Sequence, residues 1–138
     1  MVPKDELGES RELASLVIQT AERLKSDFAS AVQGFDFPAS LARALLLIED
    51  PITMGTLAAQ LACDQSYITR LSDDLISRGL ASREPGKDRR VHYLQLTNAG
   101  EEMRNKLALS VTSESVLLNK LSPSERDNLR QVLLVLLK

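Results

Sequence analysis

The spacing of apolar residues changes at Gly79, from the period of a helix to that of a strand. From Met54 to Arg78, leucine, isoleucine and alanine recur every three or four residues. From Ala81 to Thr97, two extended runs flank a charged turn, and the second run alternates apolar with polar residues. Gly79 can end the preceding helix, since glycine adopts the left-handed conformation at low cost. The pattern predicts helices followed directly by a β-hairpin.

Apolar stripes and capping signals predict about six helices in the whole chain. They cover residues 7–32, a segment from Pro38 that stops before Pro51, residues 54–62 and 65–78, a segment capped by Thr97, and a segment from Pro123. The strands cover residues 81–85 and 90–97, with a hairpin tip at 86–89. The turn at Cys63-Asp64 is brief, so the third and fourth helices have a helix-turn-helix layout.

Composition is compatible with a single globular domain, and the distribution of charge along the chain is more informative than the net charge. The chain has 138 residues, 43% of them hydrophobic, which is enough for one domain with its own core. The net charge of −2 does not by itself indicate a nucleic-acid-binding protein. However, basic residues outnumber acidic residues between Gln65 and Thr97, while the rest of the chain is acidic. A locally basic segment is compatible with phosphate binding.

Candidate catalytic and metal-binding residues are scarce. The single histidine, His92, lies on the second strand with no carboxylate pair, phosphate loop or Cys-His arrangement around it. We therefore predict neither an enzyme nor a cofactor nor a metal site. Cys63 is interpreted as a small core residue, with redox sensing as the alternative. Because the first residues lack a signal-peptide pattern and no apolar run could span a bilayer, we expect a soluble, cytoplasmic protein without a membrane partner.

The last helix is apolar on most of its surface. Its stripe of Leu129, Val132, Leu133, Leu136 and Leu137 is widened by Leu134 and Val135. Such a helix needs more cover than a small domain supplies, so we predict that it pairs with a second subunit, joined by the long first helix. The alternative is that it packs only within its own chain.

The fourth helix carries a polar face opposite its apolar side. Projection at 3.6 residues per turn gives this face as Ser66, Thr69, Arg70, Asp73 and Ser77, with Tyr67 and Asp74 beside it. Short hydroxyl side chains let a helix lie deep in a major groove, where Arg70 can bind guanine or a phosphate. An ordinary solvated helix face is an equally good interpretation of this pattern alone.

The hairpin tip concentrates basic residues, namely Lys87, Arg89 and Arg90 around Asp88. Three cations on an exposed turn suit contact with a phosphate backbone or a narrow minor groove. We expect Asp88 to accept hydrogen bonds from Arg90 and to hold that guanidinium in place. The alternative is a solvated charged turn.

These residues together resemble the MarR family of regulators. The resemblance rests first on Asp88-Arg89-Arg90, followed after five residues by Leu96-Thr97 and then Gly100. It is extended by Leu57-Ala58-Ala59-Gln60-Leu61, Ile68-Thr69-Arg70-Leu71, Ser77-Arg78-Gly79-Leu80 with Arg83, and the Leu121-Ser122 and Glu125 segment.

The resemblance implies a mainly α fold with a small β wing, a winged helix-turn-helix that dimerises through its N- and C-terminal helices. Residues 7–34 and 101–138 would dimerise, and residues 38–100 would form the DNA-binding lobe. It also implies a cytoplasmic homodimeric repressor on a pseudo-palindromic double-stranded DNA operator, released by a small anionic or phenolic ligand. Carried over by position, Ser66, Tyr67 and Arg70 would read bases, Thr69 would contact the backbone, and Arg90 would enter the minor groove, with Arg89 as its competitor.

Two acidic residues depart from this pattern. Asp73 and Asp74 would repel phosphate unless one accepts from cytosine or pairs with an arginine. The alternative function is a winged-helix module that binds protein rather than DNA, which would explain the acidic surface.

Overall fold

The computed structural model describes residues 3–88 and 90–138. In chain order its elements are α1 (Lys4–Val32), α2 (Ala39–Leu47), β1 (Ile52–Thr53), α3 (Met54–Leu61), α4 (Gln65–Ser77), β2 (Ala81–Pro85), β3 (His92–Leu96), α5 (Asn98–Ser113), α6 (Val116–Lys120) and α7 (Pro123–Leu136). The predicted class, mainly helical with a small sheet, is confirmed. No helix in these described ranges is long and apolar enough to cross a membrane.

Two short elements were not predicted. The two-residue strand β1 pairs antiparallel with β3, with Ile52 opposite Leu94, so the sheet has three strands in the order β1-β3-β2. The five-residue helix α6 begins after Ser115, whose hydroxyl accepts a hydrogen bond from the Leu118 amide at 3.3 Å. Both elements are shorter than the window over which a hydrophobic period can be recognised.

The chain divides into two compact units. Val32–Ser113 form one, which we call the central unit, while Met1–Ala31 and Glu114–Lys138 form the other, the terminal unit. The central unit contains α2 to α5 and the sheet, and α2 packs against α3, α4 and α5 within it. Its fully buried large side chains are Leu41, Leu45, Ile48, Leu57, Ile68, Leu75, Leu94 and Leu107.

The terminal unit exposes many apolar side chains. In α7 and at its end, Val132, Leu133, Leu134, Val135, Leu136 and Leu137 are between 40% and 82% exposed. In α1, Leu7, Leu13, Leu16, Val17 and Ile18 are between 50% and 62% exposed. Helix α7 itself begins with a capping box, in which Ser122 and Glu125 exchange hydrogen bonds. The Ser122 amide and hydroxyl lower the pKa of Glu125 below its ordinary value.

The ends of α4, the hairpin and α5 are joined at one backbone junction. Gly79 ends α4 in the left-handed conformation, with φ of +75°, as the sequence predicts. The Thr97 hydroxyl donates to the Gly79 carbonyl at 2.6 Å and accepts from the Gly100 amide at 3.1 Å, and the Thr97 amide donates to the Leu80 carbonyl at 3.1 Å. Gly100 is buried against Leu80.

We predict that Gly100→Ala destabilises the protein because a Cβ at this position would overlap the Leu80 carbonyl oxygen. Overpacking of this kind costs about 1–3 kcal/mol or more of unfolding free energy, measurable by chemical denaturation. The matched control is Gly55→Ala in α3, where a Cβ would meet nothing within 4 Å. Equal stability of the two variants would contradict the close approach of α5 to Leu80.

Candidate nucleic-acid interface

Helix α4 has well-defined ends. Ala62 ends α3 in the left-handed conformation with φ of 52°, and Asp64 then caps α4 by accepting a hydrogen bond from the Tyr67 amide at 2.8 Å. The observed helix Gln65–Ser77 is one residue shorter than predicted. The N-cap carboxylate accepts a hydrogen bond from one of the free amides of the first turn. Its negative charge also interacts favourably with the positive end of the helix dipole. The bounds of this helix were predicted from the brief turn at Cys63-Asp64 and from Gly79, and the cap by Asp64 was not predicted.

The two faces of α4 are as predicted. Ile68, Leu71 and Leu75 are buried in the central unit. The opposite face exposes Ser66, Tyr67, Thr69, Arg70, Asp73 and Ser77. Asp74 and Ile76, at the borders, are half-buried. The structure therefore brings the predicted residues of this helix together on one solvent-facing surface.

Arg70 lies beside an aromatic ring on this surface. Its guanidinium carbon is 5.8 Å from the centre of the Tyr67 ring, within the range of a cation–π interaction. The neighbouring hydroxyls bond to the backbone of the same helix, Thr69 to the Gln65 carbonyl at 2.9 Å and Ser77 to the Asp74 carbonyl at 2.9 Å. The exposed face therefore combines one exposed cation, a flat ring and short hydroxyl residues.

Both aspartates of α4 pair with arginines. Asp73 accepts from Arg83 of β2 at 3.0 Å, and Asp74 accepts from Arg78 at 2.8 Å. The Arg78 guanidinium also lies over the Phe37 ring, 5.3 Å from its centre. Exposed ion pairs add little stability. Their importance here is that they offset two negative charges that would otherwise repel phosphate.

Ser72 and Arg83 form a contact that sequence analysis missed. Ser72 is fully buried on the apolar side of α4, and its hydroxyl accepts from Arg83 at 3.0 Å and donates to the Thr69 carbonyl at 3.1 Å. In the sequence, Arg83 stood out only as part of the family resemblance. The position of Ser72 among the inward-facing leucines of α4 indicates in the sequence that its hydroxyl needs a hydrogen-bond partner, but it does not identify Arg83 as that partner.

The hairpin tip is closed by backbone hydrogen bonds. Strands β2 and β3 pair from Ala81–Leu96 to Pro85–His92. Beyond them the Gly86 amide donates to the Val91 carbonyl at 2.8 Å, and the Val91 amide donates to the Asp88 carbonyl at 3.0 Å. A Cβ at Gly86 would lie 2.7 Å from the Tyr93 ring, so the turn passes directly over that side chain.

The predicted contact between Asp88 and the Arg90 guanidinium is corrected by the structure. The Asp88 carboxylate accepts instead from the Arg90 backbone amide at 3.0 Å. Aspartate in a turn commonly accepts from the backbone amide two residues ahead, because its short side chain can fold back onto the local backbone. Asp88 thus shapes the turn, and no ion pair with Arg90 occurs among the described residues. Lys87 and Arg90 are exposed, and Arg89 lies outside the described residues.

Other candidate residues are less engaged. His92 is exposed on β3, and Cys63 is half-buried rather than a core residue, because the turn between α3 and α4 lies near the surface. Within residues 3–88 and 90–138, no group of three histidine, cysteine, aspartate or glutamate side chains could hold a metal ion.

Comparison with known proteins agrees with this geometry. The model of the MarR family matches residues 44–92, which run from α2 to the start of β3. No curated protein sequence matches the chain significantly. The matched segment includes both helices of the helix-turn-helix and the hairpin tip.

Solved structures show the same fold over nearly the whole chain. A MarR-family regulator from Silicibacter pomeroyi has a TM-score of 0.80 at 23% identity, covering 99% of this chain and 94% of that one. A mutant MarR from E. coli complexed with operator DNA has a TM-score of 0.75 at 22% identity, with 94% and 96% covered. CouR from Rhodococcus jostii, bound to p-coumaroyl-CoA, has a TM-score of 0.75 at 18% identity, with 88% of each chain covered. Residues 44–92 thus match the MarR family model, and the chain has the fold of MarR-family structures.

Proposed function

We propose that this protein is a transcriptional regulator that binds a pseudo-palindromic double-stranded DNA operator as a homodimer, and that it is not an enzyme. The observation that carries the proposal is the position of the exposed face of α4 next to the hairpin of residues 81–97, here called the wing. Thr97 bonds the base of the wing to the end of α4. Helix α4 and the wing therefore form one rigid surface for binding a ligand.

The chemistry of α4 suits a major groove. Arg70 can donate two parallel hydrogen bonds to guanine, and Ser66, Tyr67 and Thr69 present short or flat polar groups beside it. The wing carries Lys87 and Arg90 on its exposed tip. A cationic tip is attracted to the negative potential of an adjoining minor groove. Arg89 belongs to the same basic turn in the sequence, and we include it in the proposed DNA surface.

The exposed apolar residues of the terminal unit support a dimer. A continuous run of six apolar residues from Val132 to Leu137 is at least 40% exposed, and such surfaces mark protein contacts. A second copy offers the same apolar helices, so the contact would be self-complementary. Two DNA-binding units would then lie about one helical turn apart, on the order of 34–36 Å, and would read a two-fold related site.

We further propose repression that is relieved by a small anionic ligand, in the cytoplasm. Two structural relatives support this proposal, since one was solved with operator DNA and another with p-coumaroyl-CoA. The acyl-CoA thioester is an anionic ligand with a phenolic group. We therefore place the effector of this protein in the class of small anionic or phenolic molecules.

Salt dependence separates DNA binding from the alternative, a module that binds protein. The purified protein is used to select duplexes from a random pool, and its affinity for the selected duplex is measured at several salt concentrations. Contacts to 6–10 phosphates would weaken binding by roughly 10³–10⁵ between 50 mM and 200 mM salt. Failure to retain any duplex in dilute buffer would refute the proposal, and a salt-independent affinity would refute phosphate contact.

Replacement of Arg70 is predicted to relax base preference. Arg70→Ala removes the donor that would read guanine, and we expect a loss of about 1–3 kcal/mol of binding free energy with reduced selection at one position of each half-site. Arg43→Ala, at an exposed arginine on α2, serves as the control for general loss of charge. An Arg70→Ala variant that selects the same bases as the wild type would remove Arg70 from base recognition.

Replacement of Arg90 is predicted to change the salt dependence instead. Arg90→Ala should weaken binding and lower the slope of log affinity against log salt by about 1 per subunit, because each subunit loses one cation that neutralises charge on the DNA. Lys106→Ala, an exposed cation on α5, should leave the slope unchanged. If both variants keep the wild-type slope, the wing does not contact DNA through Arg90.

A further inference from the structure

Arg83 connects the wing to α4 through one amino group. Its Nη2 donates to the Ser72 hydroxyl and to the Asp73 carboxylate, each at 3.0 Å. Ser72 is fully buried, and its own hydrogen bond to the Thr69 carbonyl holds the hydroxyl in place. Two acceptors on one side fix the plane of the guanidinium, because the group is rigid and planar.

The strand register explains how Arg83 reaches this position. Arg83 is directly opposite Leu94 in the β2–β3 pair, and opposite residues of paired strands project to the same face of a sheet. Leu94 is fully buried, whereas the Arg83 side chain is 39% exposed. The arginine stem therefore starts on the core side of the sheet, and its head emerges beside α4.

The guanidinium has unused hydrogen-bond donors. An arginine carries five N–H donors, and the two on Nη2 are accounted for by Ser72 and Asp73. The donors on Nε and Nη1 bond to none of the described residues. Arg83 is therefore an oriented, partly exposed cation with free donors, which is the form in which arginine binds phosphate oxygens.

We propose that Arg83 is a phosphate-binding residue of the DNA surface, oriented by Ser72 and Asp73. The proposal rests on the function proposed above. When α4 lies in a major groove and the wing lies in the adjoining minor groove, one sugar-phosphate backbone passes between them. Arg83 starts in the wing and its guanidinium reaches α4, so the guanidinium lies at the junction that this backbone would cross.

This proposal assigns Asp73 a different role from base reading. An unpaired carboxylate on a groove-facing helix repels phosphate. The Asp73 carboxylate is bonded to Arg83, so the arginine offsets its charge and the carboxylate holds the arginine donors in position. Ser72 and Asp73 are then positioning residues that act through Arg83. Arg78 offers a matched comparison, because it also pairs with an aspartate of α4 and is 38% exposed, but one face of its guanidinium lies against the Phe37 ring rather than between the wing and α4.

The test compares Arg83→Gln, Arg83→Lys and Arg78→Gln in the full chain, with binding to the selected duplex measured against salt concentration. Arg83→Gln should lower the salt slope by about 1 per subunit and weaken binding to all sequences alike. Arg83→Lys keeps a point charge that can pair with phosphate, so its slope should stay close to that of the wild type. Arg78→Gln should leave the slope unchanged.

Each other result overturns the inference. If Arg83→Gln and Arg83→Lys weaken binding equally with no change in slope, Arg83 only joins β2 to α4. If Arg78→Gln lowers the slope as much as Arg83→Gln, the effect comes from general charge. An altered base preference in Arg83→Gln would mean that the residue acts on base reading. If Arg83→Gln does not fold, the test uses Arg83→Lys alone. A salt slope of Arg83→Lys that is lower than that of the wild type would then contradict the prediction that lysine keeps the phosphate contact. Wild-type protein that binds no duplex would refute the proposed function itself, and this inference with it.

Discussion

The proposed DNA-binding surface depends on the junction at which the Thr97 hydroxyl bonds both the Gly79 carbonyl and the Gly100 amide. Gly79 lets the chain leave α4 in a left-handed turn, and Gly100 lets α5 approach the Leu80 backbone where any side chain would collide. The bond from the Thr97 amide to the Leu80 carbonyl completes the junction. Because three elements end there, the direction of the wing relative to α4 is set by hydrogen bonds rather than by flexible loops.

Charge on this surface is arranged locally rather than across the molecule. The net charge of −2 obscures the fact that the acids of α4 are each bonded to an arginine. Pairing leaves Arg70 as an exposed cation of the helix, while Lys87 and Arg90 are exposed on the wing. An acidic protein can therefore present a surface suited to phosphate, and the two aspartates are compatible with DNA binding. Their acidity was the main argument for a protein-binding module.

Local signals made much of the fold predictable from sequence. Thr97 caps α5 through a contact within three residues, and Gly79 ends a helix by its own conformational freedom. The predicted polar face of α4 followed from helical period alone. Features that depend on distant residues were missed: β1 forms only because β3 lies beside it, and Arg83 meets Ser72 only when the wing folds against α4. The predicted bond from the Arg90 guanidinium to Asp88 was wrong because sequence spacing does not show whether a backbone amide or a side chain donates to the carboxylate.

In the proposed dimer, two copies of α4 and of the wing bind one face of a duplex with two-fold symmetry. Hydroxyl-radical footprinting of the selected duplex tests it most directly, since cleavage reports which sugars the protein covers. The account predicts symmetric protected windows on both strands, with the two half-sites centred about 10–10.5 base pairs, or one helical turn, apart. A single unsymmetric window, or uniform cleavage at saturating protein, would contradict it.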